Sequence, residues 1–365
     1  MGPGTSRSHR AQPPSGAGPA LGATRRADGY RRLVILALLL TLTVVVFGAY
    51  VRLSDAGLGC PDWPGCYGQA TPAHAAEHIA EAESAAPGGP VSLPKAWKEM
   101  IHRYLAATLG FIILIIAALA LRHRRDPEVR PGVAVLLVGV VIFQGLLGKW
   151  TVTLLLKPAI VTGHLLGGLT TLALLAVLAI RATGVRRRFA SPALVRLARL
   201  GLLLVAGQIV LGGWTSTNYA ALACTDFPTC HGSWWPAMDV ANAFHVVREL
   251  GMTADGDLLS HQALTAIHWA HRLGAAATAI GLLLLALALV RQGFGAMAML
   301  LLLMLSGQVG LGIANVQLSL PLPLAVAHNA GAALLLLTMV LINARLTPER
   351  AWRAVRGRAH ENAYA

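Results

Sequence analysis

Apolar residues run almost unbroken for the width of a bilayer eight times along the chain, near residues 32–51, 104–121, 132–150, 160–180, 194–214, 273–290, 295–314 and 323–344. About 20 such residues cross a hydrocarbon core when helical. A helix also satisfies its own backbone polar groups where no water can. The pattern therefore predicts an all-α polytopic membrane protein with eight transmembrane helices, and both termini on one side. The first run is long and has no small-residue cleavage site behind it, which predicts a retained helix rather than a signal peptide. Residues 1–29, rich in Pro, Gly, Ser and Arg, read as a disordered tail, and 346–365 as a second tail.

Composition agrees with this class: 55% of the 365 residues are hydrophobic, 13% are charged, and mean hydropathy is +0.60. The net charge of +14 raises the question of nucleic acid, and the positions of the charges answer it. They lie between apolar runs. Of 30 Lys and Arg, 22 fall on the face that carries the termini; the other eight are Arg52, Lys95, Lys98, Arg103, Lys149, Lys157, Arg248 and Arg272. By the positive-inside rule the termini are cytoplasmic, and the partner of the basic residues is the lipid bilayer, not nucleic acid.

The chain repeats. Laid over the position 164 residues further on, Gly48, Leu58, Cys60, Asp62, Pro64, Cys66 and Gly68 meet Gly212, Leu222, Cys224, Asp226, Pro228, Cys230 and Gly232; Gln144, Gly148 and His164 meet Gln308, Gly312 and His328. Four helices per repeat is an even number, so the halves share orientation and are related by an axis along the membrane normal. The expected architecture is two tandem, pseudo-twofold-related four-helix bundles, at 30–185 and 186–345, joined by a basic loop at 181–199.

Each repeat carries two cysteines in a proline-containing loop on the external face, where thiols oxidise. A short loop can bring two Cα atoms within the roughly 4.4–6.8 Å that a disulfide spans. Structural or regulatory disulfides, Cys60–Cys66 and Cys224–Cys230, are therefore expected, with free thiols as the alternative. A zinc site needs two further ligands per pair, and the spacing is not a common zinc spacing.

Most of the thirteen histidines call for no special account. His9, His123 and His360 lie in polar cytoplasmic segments, and His74, His78, His231, His245 and His261 in long outer loops. His102, His164, His271 and His328 differ. They give each repeat one histidine on its second helix and one on its fourth, near the outer leaflet. Ionisable side chains in apolar spans are costly and usually functional. Small residues beside them, such as Gly163, Gly167, Gly274 and Gly331, admit close approach. With no carboxylate or thiolate completing a tetrahedral set, a haem with two axial histidines fits each pair better than zinc. An interhelical hydrogen bond is the plainer reading of any single one. Arg103 and Arg272 follow the second-helix histidines and suit either a haem propionate or a lipid headgroup. Glu99 stands one turn before His102, whereas His268 stands before His271. That carboxylate is a candidate proton acceptor, or else simply orients His102.

The run GAYVRLSDAGLGCPDWPGC, followed by EMIHR, GHLLGG, HR and a late His in the eighth helix, resembles bacterial haem A synthase, in its cysteine-bearing subtype. The resemblance covers roughly residues 31 to 345. It implies an oxidoreductase of the bacterial inner membrane that oxidises the C8 methyl group of haem O to a formyl group, giving haem A for cytochrome oxidase. It further implies that His102 and His164 hold the substrate haem O, and that His271 and His328 are the axial ligands of a resident haem b. Glu99 matches the family's essential carboxylate, and Cys60 with Cys66 its outer-loop disulfide. Haem O synthase and cytochrome oxidase assembly factors are the implied partners, and homo-oligomerisation is compatible with it. His268 is a competitor to His271 on sequence grounds, and the acidic, alanine-rich insert at 74–86 has no assigned role. The competing reading is a quinol-linked di-haem b electron-transfer cytochrome, which would use the four histidines but has no need of Glu99.

Overall fold

The computed structural model describes residues 21–126 and 129–348. Eight of its helices are long and apolar enough to cross a membrane: α1 (Leu21–Leu53), α3 (Leu93–Arg122), α4 (Pro131–Thr153), α5 (Pro158–Ala182), α6 (Pro192–Thr217), α8 (His261–Arg291), α9 (Gly295–Gln317) and α10 (Leu322–Arg345). Two short helices, α2 (Ala76–Ala85) and α7 (Val240–Ala243), lie in the two long loops. Large apolar side chains face outward along the spans, among them Phe111, Ile142, Leu203 and Met299, each more than 60% exposed. An exposed belt of this kind is at home only in lipid, and the chain is a multi-pass membrane protein.

The helix ends have local causes. Ser92, Ser191 and Ser260 cap α3, α6 and α8 by accepting hydrogen bonds from the backbone N–H of Lys95, Leu194 and Ala263. Proline occupies the first turn of α3, α4, α5, α6 and α10, where its missing N–H costs nothing. The four helices that run from the cysteine-loop end to the opposite end finish with Arg122, Arg181, Arg291 and Arg345 in their last turns, so these cations complement the helix dipoles.

Two boundaries differ from the apolar runs. α3 and α8 begin at Leu93 and His261, about three turns ahead of the uninterrupted apolar sequence, because the serine caps and the packing of amphipathic turns extend them beyond the apolar part. Glu99, His102 and Arg103 thus share a continuous helix, as do His268, His271 and Arg272. α1 also reaches back to Leu21, into the stretch read as a tail; residues 1–20 and 349–365 of the expected tails lie outside the described residues. A two-strand parallel ladder, Arg188–Ala190 with Leu346–Pro348, joins the 181–199 loop to the end of α10 and adds to an otherwise all-α fold.

Among the first four spans, α1 packs on α3 and α5, and α4 on α3 and α5; among the second four, α6 packs on α8 and α10, and α9 on α8 and α10. α1, α5, α6 and α10 also pack across the two sets. At the cysteine end the sets are pinned by Arg52, which donates to the carbonyls of Ser216 and Thr217 at 3.2 and 3.4 Å and lies 4.1 Å over the Tyr219 ring. Both disulfides are formed, with Cα–Cα distances of 4.9 and 5.0 Å. The insert at 74–86 forms α2, whose buried Ile79 packs with Cys60, Cys66, Ala96 and Met100, so it covers the first cysteine loop.

Candidate functional site

The four span histidines share one packing plan. His102 on α3 lies against Gly48 of α1, His164 on α5 against Gly148 of α4, His271 on α8 against Gly212 of α6, and His328 on α10 against Gly312 of α9. A Cβ on these glycines would come within 2.8, 3.4, 3.1 and 3.1 Å of the ring Cε1 atoms. Each histidine thus lies close against a neighbouring helix, which at Gly48 leaves no room for a side chain and at Gly212 and Gly312 little. Gly48 with Gly212, and Gly148 with Gly312, are repeat matches in the sequence.

His102 and His164 face each other with ring centroids 6.4 Å apart and ring planes 81° from parallel. Metal–nitrogen bonds of about 2 Å on each side, plus the half-widths of the rings, fill such a separation with one ion. The Nδ1 atoms of His102, His164 and His328 are buried without a protein hydrogen-bond partner. Orphaned polar atoms in an apolar interior are costly, and a bound metal group with attendant water is one account of them. The donor set is imidazole only, in a slot floored by glycine. It fits haem better than a tetrahedral metal.

Above each pair sits a clamp. Glu99, 5% exposed, accepts the backbone N–H of Cys60 at 3.0 Å through Oε2 and pairs with Arg103 through Oε1. Arg103 also donates to the carbonyls of Asp62, Pro64 and Gly65. In the second half, His268 Nδ1 stands 3.2 Å from the Cys224 N–H and its Nε2 3.2 Å from Arg272 Nε. Arg272 donates to the carbonyls of Cys224, Asp226 and Thr229 at 2.7–2.9 Å. Both arginines therefore spend their guanidinium groups on the cysteine loops, a use that neither a propionate nor a headgroup reading includes. His268 occupies the position of Glu99 in the clamp, and both its ring nitrogens face loop or arginine donors rather than His328.

Each loop is further folded around an aspartate. Asp62 accepts from the N–H groups of Tyr67 and Gly68, both at 2.7 Å. Asp226 accepts from those of His231 and Gly232 at 2.7 and 3.0 Å. The Thr229 hydroxyl and these amides hold the Asp226 carboxyl well below the usual carboxylate range.

Replacing Arg103 with Ala should strip three loop carbonyls and leave Glu99 a buried, unpaired carboxylate. Breaking a buried pair from one side costs about 3–5 kcal/mol, so the thermal midpoint in detergent should fall clearly. An unchanged midpoint would show the clamp to be energetically idle.

Gln208 is a residue the sequence pattern does not single out. Its amide nitrogen lies 2.9 Å from His271 Nδ1 and 3.0 Å from the His271 carbonyl. Val44 stands at the matching place in the first half, so the repeat alignment passes over it. Gln144 and Gln308, which the alignment does match, reach the His164 carbonyl at 2.9 Å and the His328 ring at 3.3 Å.

With this geometry in view, the relatives are informative. The COX15-CtaA family, described as cytochrome oxidase assembly protein, matches residues 31–340. A protein of Shewanella oneidensis named Heme A synthase is 48% identical over 255 residues, 69% of this chain and 76% of the relative. Proteins of the same name from Halalkalibacterium halodurans and Rhizorhabdus wittichii are 28% and 27% identical, over 67% and 71% of this chain and 78% and 77% of their own lengths. Both histidine pairs, both cysteine loops and the greater part of all eight spans lie inside the matched segment, and the chain belongs to the COX15-CtaA family of cytochrome oxidase assembly proteins.

Proposed function

We propose that the chain is an oxidoreductase that converts haem O to haem A by oxidising the C8 methyl group to a formyl group. In this reading His102 and His164 hold the substrate haem O in the first four-helix unit. His271 and His328 hold a resident haem b in the second. The observation that carries it is the asymmetry of two otherwise repeated sites: a buried carboxylate, Glu99, stands one turn from His102, and a histidine stands in its place beside His271. Family membership and the activity named for the relatives agree with it.

Haem supplies redox chemistry when bound; the chain supplies position, exclusion and charge. The histidine pairs would hold the haem between helices. The glycines beside them let each imidazole sit close against the neighbouring backbone. Replacing hydrogen on the methyl carbon with oxygen releases electrons and protons, and Glu99 is the group placed to accept a proton near the first pair. Arg103 offsets its charge and ties it to the loop.

Pigment extraction from the purified protein tests the reading. Haem b together with haem O or haem A supports it. Haem b alone would instead support the electron-transfer cytochrome.

The same reading puts the chain in the bacterial inner membrane with cytoplasmic termini, on the strength of the 22-to-8 split of basic residues. Leu258 is 81% exposed in the second long loop. A cysteine introduced there should react with a membrane-impermeant maleimide added to intact spheroplasts. Reaction only after lysis would reverse the topology.

A further inference from the structure

We propose that the second cysteine loop, once its disulfide is reduced, is a four-coordinate site for a zinc-class divalent cation, formed by Cys224, Cys230, His231 and His261. The two ligands that a cysteine pair lacks on its own are present here. The ligand atoms of Cys224, Cys230 and His231 lie within 4.8 Å of one another. The His261 ring, at the start of α8, has its centroid 5.4 Å from that of His231. Around one tetrahedral zinc, with bonds of about 2.0–2.3 Å, ligand atoms sit roughly 3.3–3.8 Å apart. The His261 imidazole lies outside that 4.8 Å group, so rotation of its side chain, with the parting of the two sulfurs, has to bring it in. Two thiolates with two imidazoles are a set that zinc prefers.

The frame that holds these ligands does not depend on the sulfur–sulfur bond. Asp226 grips the backbone N–H of His231 and Gly232. Arg272 grips the carbonyls of Cys224, Asp226 and Thr229. Cys230 and Ser233 exchange backbone hydrogen bonds at 3.0 and 3.1 Å. Opening the disulfide therefore frees two thiols inside a loop already folded, and preorganisation of this kind lowers the cost of binding. The first loop is built alike but is not such a site. Tyr67 stands where His231 does and stacks on His78 with centroids 6.0 Å apart, so a phenol replaces one imidazole.

The chemistry balances with a thiol reductant. An external dithiol delivers two electrons and two protons to the Cys224–Cys230 bond and leaves as its own disulfide. The cation then displaces the two thiol protons as it binds both sulfurs. Bound metal would keep the loop from reclosing, which makes the second loop a redox-gated metal switch, independent of the haem assignments above.

The test uses the full chain carrying Cys60→Ser and Cys66→Ser, reduced with a phosphine under anaerobic conditions, stripped with chelator and titrated with cobalt(II) as a spectroscopic substitute. About one equivalent should bind, with the thiolate-to-cobalt charge-transfer band and the ligand-field bands of a tetrahedral site, and zinc should displace it. The oxidised protein should show no such band. His231→Tyr, which copies the first loop, and His261→Ala should each weaken binding by more than the roughly 10–100-fold that loss of a supporting contact costs. In the reduced protein, zinc should also slow alkylation of Cys224 and Cys230. Absence of the band after reduction, or a band and affinity untouched in both histidine variants, would overturn the proposal.

Discussion

Glu99→His should fold, keep the haem b proposed for the second histidine pair and its closed first loop, and still make almost no formyl product. The variant is chosen because the second half of the chain has already performed the structural part of the experiment. There, His268 takes the place of Glu99, faces the Cys224 N–H, and lies against Arg272, while the loop above it is closed and ordered. A histidine is therefore adequate to fill this corner of the clamp. If Glu99 only tied down the loop by accepting the Cys60 N–H and pairing with Arg103, a histidine should serve in its place. If the carboxylate instead accepts a proton in methyl oxidation, the loss should be about 10²–10⁴-fold in rate, with haem O accumulating on the protein. Glu99→Gln gives the complementary view, since it keeps an acceptor for the Cys60 N–H but no charge. Near-normal haem A from Glu99→His would sink the proton-accepting role and leave Glu99 a clamp residue.

Much of this arrangement was legible in the sequence because repetition and hydrophobicity are both linear signals. The eight spans follow from apolar run length. Gly48, Gly148, Gly212 and Gly312 show themselves as repeat matches, and three dimensions supply the reason: each is the surface against which one span histidine rests. The helix starts at Leu93 and His261 were harder to read, because capped amphipathic turns carry no continuous apolar signal. The partners of Arg103 and Arg272 were out of reach for a different reason. They are backbone carbonyls, and a carbonyl has no residue type for a sequence pattern to display. Gln208 escaped because the fixed-offset comparison finds only what both halves keep. His231 and His261 looked like solvated loop histidines when taken singly; their proximity depends on how the second loop folds back over the start of α8. The insert at 74–86 lacked a role until α2 brought Ile79 onto the first disulfide.

The second large effect is expected at the haem b site proposed for His271 and His328, where two histidines one turn apart in sequence have different surroundings. His271→Ala and His328→Ala should each strip the purified protein of its low-spin haem b spectrum, and most of the haem should be lost on the column. Removal of an axial ligand would leave an iron coordination position open, with no other haem ligand proposed nearby to replace it. His268→Ala should behave otherwise. Its ring nitrogens lie 3.2 Å from the Cys224 N–H and from Arg272 Nε, while His271 rests on Gly212 with Gln208 at its Nδ1. His268→Ala should therefore keep the haem b spectrum while loosening the second cysteine loop, seen as faster reduction of Cys224–Cys230 by an added thiol. A haem b spectrum intact in both His271→Ala and His328→Ala would remove these residues from the iron. Retention in His271→Ala together with loss in His268→Ala would transfer the ligand one turn toward the start of α8 and require the clamp to open before haem binds.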